Sequence, residues 1–162
     1  MTALLNRADL FLPTEAVTSA VGRWLAPALR AGDVVLLTGA IGAGKTHLVR
    51  AILRHRMGAD IDVPSPTFTL VQPYEDRDLT IVHADLYRIT HPDDVMELGL
   101  EDAMTSGIAL IEWPERLGAY RPVDALDLAL APLGEGRHLT AQGNARLVNH
   151  IAAFPGHRGQ NE

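Results

Sequence analysis

Apolar residues recur along the chain with two different periods, and their alternation predicts strands and helices in turn. Leu10-Phe11-Leu12 is a short apolar run closed by Pro13. Thr14 then stands where an N-cap belongs, ahead of Val17, Val21, Leu25 and Leu29 at helical spacing. Gly32-Asp33 breaks that helix. Val34-Val35-Leu36-Leu37 follows with no polar residue, the pattern of a strand covered on both faces, as in a parallel sheet. After a Gly-rich segment, Leu48, Val49, Ile52 and Leu53 fall on one helical face until Gly58 ends the run.

Further along, Pro64 and Pro66 bracket Ser65 and force an extended entry into residues 67–71, whose β-branched and aromatic content favours a strand. Residues 79–85 read as another strand. Pro92 starts a helical stretch through Met96 toward Leu98, and Gly107 leads into the buried-strand run 108–112, ended by Pro114. Residues 126–130 and 137–140 read as two strands joined by the turn residues Pro132, Gly134 and Gly136; residues 145–154 are helix-compatible. Residues 156–162 read as a disordered tail.

The segment between the second strand and its helix carries the first chemistry. Gly39-Ala40-Ile41-Gly42-Ala43-Gly44-Lys45-Thr46 has the spacing of a phosphate-binding P-loop: Gly, four residues, Gly-Lys, then Ser or Thr. Its glycines let successive backbone N–H groups of Gly42, Ala43 and Gly44 point inward at phosphate oxygens, and the helix that starts near Lys45 adds its positive end. Lys45 supplies charge to the β and γ oxygens, and Thr46 offers a hydroxyl to Mg²⁺. Position after a buried strand and before a helix is the context the pattern requires. The expected architecture is therefore α/β: a single P-loop NTPase-like domain over residues 1–155, with a mostly parallel central sheet flanked by helices.

A P-loop needs a further acid near the metal, usually at the end of a neighbouring buried strand. Glu112 closes the run 108–111 and is the favoured metal ligand, directly or through water; Asp85 closes a run interrupted by His83 and is a second acid. Spacing does not decide which of the two touches the metal. His83, between Val82 and Ala84, reads as a packed, hydrogen-bonded histidine and not as a base. Trp113 fits either a contact beside the site or ordinary core. Arg88 fits either an arginine finger or a surface ion pair.

Composition narrows the partners. Against 14 Lys and Arg stand 20 Asp and Glu, a formal net charge of −6, which argues against a broad nucleic-acid-binding surface. Any role in RNA chemistry is then expected to be indirect. Cysteine is absent, so disulfides and thiolate metal sites are excluded. No signal-peptide pattern and no run approaching the ~18 apolar residues of a membrane span is present, and a cytoplasmic location without membrane attachment is expected. The guanine-reading motif of GTPases is missing. Its nearest approach, Asn6-Arg7-Ala8-Asp9, has Arg for Lys and precedes the P-loop. A small-molecule kinase remains the alternative, with the acidic segment 92–102 as its one candidate lid; a module that binds ATP without turning it over is a third class.

Three more segments sharpen this. Ser65-Pro66-Thr67-Phe68-Thr69-Leu70-Val71 with Tyr74, His83-Ala84-Asp85-Leu86-Tyr87-Arg88 and Ile111-Glu112-Trp113-Pro114-Glu115 follow the P-loop in order, with Glu97-Leu98-Gly99 between the last two. Together they resemble the TsaE family, the ATPases of bacterial tRNA threonylcarbamoyladenosine biosynthesis, over residues 9 to 142. The resemblance implies ATP and Mg²⁺ as cofactors, held at Lys45 and Thr46, with Glu112 as the metal-binding acid and Asp85 as the other acidic site residue. It implies that Ser65 to Thr69 is a switch-like loop in which the hydroxyls of Thr67 and Thr69 sense the γ-phosphate, and the expected mechanism is that ATP orders this loop and hydrolysis releases it. Pro13, Glu15 and Arg137 are similar in position to residues flanking the base. His47 departs from the Thr or Ser frequent there, which leaves its backbone N–H as the contact to the α-phosphate. The implied partners are the TsaB and TsaD proteins, which transfer threonylcarbamoyl to adenosine 37 of tRNA.

Overall fold

In the computed structural model, residues 6–58, 61–66 and 69–156 are described. The chain runs β1 (Arg7–Leu12), α1 (Glu15–Leu25), β2 (Val34–Thr38), α2 (Lys45–Met57), β3 (Val71–Asp76), β4 (Leu79–Asp85), α3 (Asp94–Glu97), α4 (Leu100–Ser106), β5 (Ile108–Glu112), a short 3₁₀ segment (Pro114–Tyr120), β6 (Leu126–Leu133), β7 (Gly136–Gly143) and α5 (Ala145–Ala152). The seven strands form one sheet in the order β1-β7-β6-β2-β5-β4-β3.

The sheet is mixed, which corrects the expectation of a mostly parallel one. Strands β6, β2, β5 and β4 pair in parallel, whereas β3 at one edge and β7 and β1 at the other are antiparallel to their neighbours. The connections explain the difference. The turns at Arg77 and Gly134, both with φ +59°, are too tight for a crossover, so β3–β4 and β6–β7 are hairpins.

The buried runs behave as their sequences require. In β2, Val35 and Leu37 join the core on the face that carries α1, α2 and α5, while Val34 and Leu36 join the core on the other; Ile108 and Leu110 against Ala109 and Ile111 repeat this in β5. Helix α1 starts as expected, with the Thr14 hydroxyl accepting from Val17 N–H at 3.2 Å. It then crosses α2 so closely that a Cβ on Gly22 would lie 2.6 Å from Ala51 Cβ.

Two expectations shift. The strand placed at 67–71 begins at Val71, because Thr69 lies in a turn and Leu70 takes φ +67°. Pro73, which has no N–H to give, is tolerated there because β3 is an edge strand. The helical stretch after Pro92 is the single turn α3, and a further helix, α4, which the sequence reading did not place, follows it after Gly99 with φ +73°. Thr67 and residues 157–162 lie outside the described residues. No helix among the described residues is long and apolar enough to cross a membrane.

Candidate functional site

The carboxyl ends of β2, β4 and β5 converge at one end of the sheet, where open α/β sheets form their ligand crevices. The β2–α2 turn wraps over this end. Its Gly39 has φ +153° and presses against β6, with a hypothetical Cβ only 2.6 Å from Leu130 O, so only glycine fits. Gly44, at φ +105°, caps α2 and turns the chain so that Lys45 and Thr46 open the helix facing the crevice.

From there the polar contacts form one connected set. Lys45 is only 5% exposed; its Nζ donates to the Gly39 carbonyl and sits 3.8 Å from the centroid of the Trp113 ring. Burial pushes the Lys45 ammonium below its ordinary pKa, against the pull of Glu112, Glu115 and Asp85. The Thr46 hydroxyl lies 2.9 and 3.1 Å from the two carboxylate oxygens of Glu112 and donates to them. His83 Nε2 lies 2.6 Å from Glu112 Oε2 and, a carboxylate oxygen being an acceptor, donates to it. Both groups are buried, with His83 at 0% and Glu112 at 2% exposure, and His83 Nδ1 has no hydrogen-bond partner. Register explains the meeting. His83 stands opposite Leu110 and Asp85 opposite Glu112 in the parallel β4–β5 pair, so all four side chains share one face.

Asp85 ends β4 beside this carboxylate. Its Oδ1 accepts from Tyr87 N–H at 3.0 Å, and its own N–H donates to Leu70 O at 2.9 Å, which ties the end of the Ser65–Leu70 segment to the acid. Trp113, directly after Glu112, holds φ +60°, a left-handed conformation uncommon outside glycine. That turn brings its ring over Lys45 and within 5.0 Å of the Tyr87 ring. The alternatives left open by the sequence, core or contact, both hold for Trp113, which packs against the core and lines the cavity over Lys45.

These groups line a cavity of about 470 Å³, within the ~300–1,000 Å³ usual for small-molecule sites. Glu15, Gly42, Gly44, Lys45, Thr46, His47, Ser65, Asp85, Glu112 and Arg137 all contribute to its wall. Arg137 reaches from β7 to donate to Gly42 O at 3.1 Å. The His47 ring turns aside, within 2.7 Å of Ser19 Oγ and 3.2 Å of the Glu15 carbonyl. Ala43, buried under the turn, and Pro13 and Thr69 are not among the lining side chains. Arg50 and Ile41 line the cavity and were not singled out from sequence for this role; Tyr87, which the sequence left open as Trp113 was, lines it too. Arg50 follows Thr46 by one helical turn on α2, a spacing that places both on one side and is visible in the sequence once the helix is accepted.

Comparison with known proteins places the chain in a family. The family model described as "Threonylcarbamoyl adenosine biosynthesis protein TsaE" matches residues 12–139. A Rickettsia felis protein named tRNA threonylcarbamoyladenosine biosynthesis protein TsaE is 36% identical over 90% of this chain and 88% of its own. One of that name from Nostoc sp. is 38% identical over 78% of this chain and 80% of its own. The crystal structure of YdiB from Bacillus subtilis superposes with a TM-score of 0.72, covering 99% of this chain and 100% of that one at 20% identity, a likeness of fold alone. By the family match and the extent of identity to these relatives, the chain belongs to the TsaE family.

Proposed function

We propose that this chain is the Mg²⁺-dependent ATP-hydrolysing component of tRNA threonylcarbamoyladenosine biosynthesis, acting on a TsaB–TsaD complex in the cytoplasm. Family membership supports the place in that biosynthesis; the nucleotide chemistry is read from the site. The carrying observation is the convergence of the Lys45 ammonium, the Thr46 hydroxyl and the Glu112 carboxylate at the head of α2, on the wall of one cavity.

That donor set fits a magnesium polyphosphate. A hydroxyl and a carboxylate are hard oxygen ligands, few enough to leave Mg²⁺ most of its waters, and the turn beside them carries the left-handed glycines of a phosphate cradle. Mg²⁺ at this point would offset the charge that develops on the γ-phosphate during transfer to water. Lys45, now satisfied by Gly39 O and the Trp113 face, would exchange those contacts for phosphate oxygens. The first-turn N–H groups of α2, including that of His47, have no partner within the helix and can take α- and β-phosphate oxygens. Asp85, next to Glu112 in register, is positioned to hold the attacking water. Arg137, anchored on Gly42 O, closes the side of the cavity opposite Asp85's strand, where Glu15 also lies.

The kinase alternative draws no support from the site, since no residue of the acidic segment 92–102 lines the cavity. Equilibrium titration of ATP into the purified chain, with and without Mg²⁺, tests the proposal. Tight binding that depends on Mg²⁺ and is lost in Lys45→Ala is expected; Mg²⁺-independent binding that survives this substitution would overturn it.

A further inference from the structure

Lysine and arginine side chains line the nucleotide cavity at Lys45, Arg50 and Arg137. Two of them have evident tasks, since Lys45 stands at the head of α2 and Arg137 holds the glycine-rich turn through Gly42 O. Arg50 has none yet. It lies in the interior of α2 (Lys45–Met57), short of the last turn, where a cation would offset the negative end of the helix. Its charge therefore needs another reason.

Arg50 Nε donates to the Val63 carbonyl at 2.8 Å. Val63 is 2% exposed and packed in the core, so this acceptor is a fixed point and the guanidinium is held in one place. Among the described residues Arg50 makes no ion pair, although Asp85 and Glu112 line the same cavity. Both terminal nitrogens are left without a protein acceptor, and together they form an edge that can grip two oxygens of one anion. Arg54, one turn further along α2, is the contrast. It also donates Nε to a carbonyl, that of Ile61 at 3.4 Å, but it stands in the last turn and does not line the cavity. Helix-end compensation explains the charge at 54 and leaves the one at 50 unexplained.

We infer that Arg50 is a further nucleotide-binding residue, whose two terminal nitrogens take oxygens of the polyphosphate on the side facing Ser65. This rests on the nucleotide reading of the cavity and adds a ligand outside the glycine-rich turn. Position supports it. Arg50 follows Thr46 by one turn on the same side of α2, about 6 Å along the helix axis, and Thr46 with Glu112 marks the proposed metal position. Lys45 and the first-turn N–H groups meet the phosphates from the head of the helix, whereas Arg50 meets them from its flank. The anchored fork suits this task, because a guanidinium already fixed by one hydrogen bond loses little freedom on gripping a phosphate. The same anchor joins the polyphosphate to Val63, two residues before Ser65 in the cavity wall.

The test is calorimetric titration of ATP and of inorganic tripolyphosphate, each with Mg²⁺, into the full chain and its variants. Arg50→Gln is expected to weaken both ligands by about 10–100-fold, because the contact is to phosphate and not to the base. Arg50→Lys keeps the charge, but one ammonium cannot serve Val63 O and a phosphate in the same geometry, so it should recover only part of the loss. Arg54→Gln removes a charge one turn away, outside the cavity, and should leave both affinities unchanged. In guanidinium-detected NMR of the parent chain, the arginine signal that is missing from Arg50→Lys should shift on addition of Mg²⁺ and tripolyphosphate, a response that a purely structural Arg50 would not give. A folded Arg50→Gln chain with parent affinity overturns the inference, as does an equal loss in Arg54→Gln or an unmoved Arg50 signal. Any of these in a parent chain that binds ATP removes this inference alone; a parent chain that binds neither ligand takes the nucleotide reading down with it.

Discussion

His83 offers the sharpest perturbation because it does not itself line the cavity, yet donates to the acid on which the chemistry is proposed to depend. Replacing it by Phe keeps the buried volume and the β4 packing while removing the donor. Hydrogen bonds to charged groups contribute about 1.5–3 kcal/mol, and this one is short, at 2.6 Å, and buried from solvent on both sides. Thr46 would remain as a donor to Glu112, but the carboxylate would then be free to rotate about its last torsion. Loss of partners that orient metal ligands typically costs about 10–100-fold in metal affinity or activity. The expected result for His83→Phe is therefore a rise of that order in the Mg²⁺ concentration that half-saturates ATP hydrolysis, with ATP affinity in the absence of Mg²⁺ little changed. His83→Gln, whose amide can reach in the same direction, should recover part of the loss. Far-UV circular dichroism and a urea melt separate this from unfolding. A folded His83→Phe protein with the parent Mg²⁺ dependence would refute the reasoning.

Further perturbations follow the same physics. Glu112→Ala and Lys45→Ala should each lower ATP hydrolysis by at least about 100-fold, and chelation of Mg²⁺ should do the same to the parent chain; phosphate release measures all three. Gly22→Val drives a branched side chain into Ala51 and is expected to cost about 1–3 kcal/mol or more in urea unfolding. Arg146→Ala leaves Asp33, which is 8% exposed and now held at 2.6 Å by both oxygens, without its charged partner and with only the Arg30 N–H on Oδ2, and should destabilise by about 2–4 kcal/mol in the same assay. Asp9 is held down to about 2, first by its hydrogen bond from Arg7 and then by that from His138. Its folded pKa lies below the ordinary 3.8, so its contribution is present above pH 3.8 and is lost as pH falls from there through about 2. Solvent screening at this exposed site keeps that contribution below about 1 kcal/mol, and Asp9→Asn should remove this part of the acid slope in unfolding measured against pH.

The central strands β2 and β5 were legible because both their faces are covered, which leaves uninterrupted apolar runs in the sequence. Strand direction was not. The β3–β4 turn is built on Arg77 in a left-handed conformation, a residue that gives no turn signal, so the hairpin that makes one sheet edge antiparallel is invisible along the chain. That Glu112 and Asp85 end strands, and that Lys45 and Thr46 open a helix after a Gly-rich turn, could be read from local pattern, since each position is defined by the element it terminates or opens. The His83–Glu112 contact could not, because it depends on the register between two strands 29 residues apart in sequence. Trp113 escaped for a related reason: only the left-handed turn at that residue lets a ring packed against the core also lie over Lys45.

The most direct test of the central claim is phosphate release measured together with threonylcarbamoyladenosine formation in a reconstituted system of TsaB, TsaD, tRNA and this chain. The proposed function predicts that the parent chain supports both, that hydrolysis rises when TsaB and TsaD are added, and that Glu112→Ala abolishes both. Modified tRNA accumulating over many turnovers with the Glu112→Ala chain in place of the parent would contradict it.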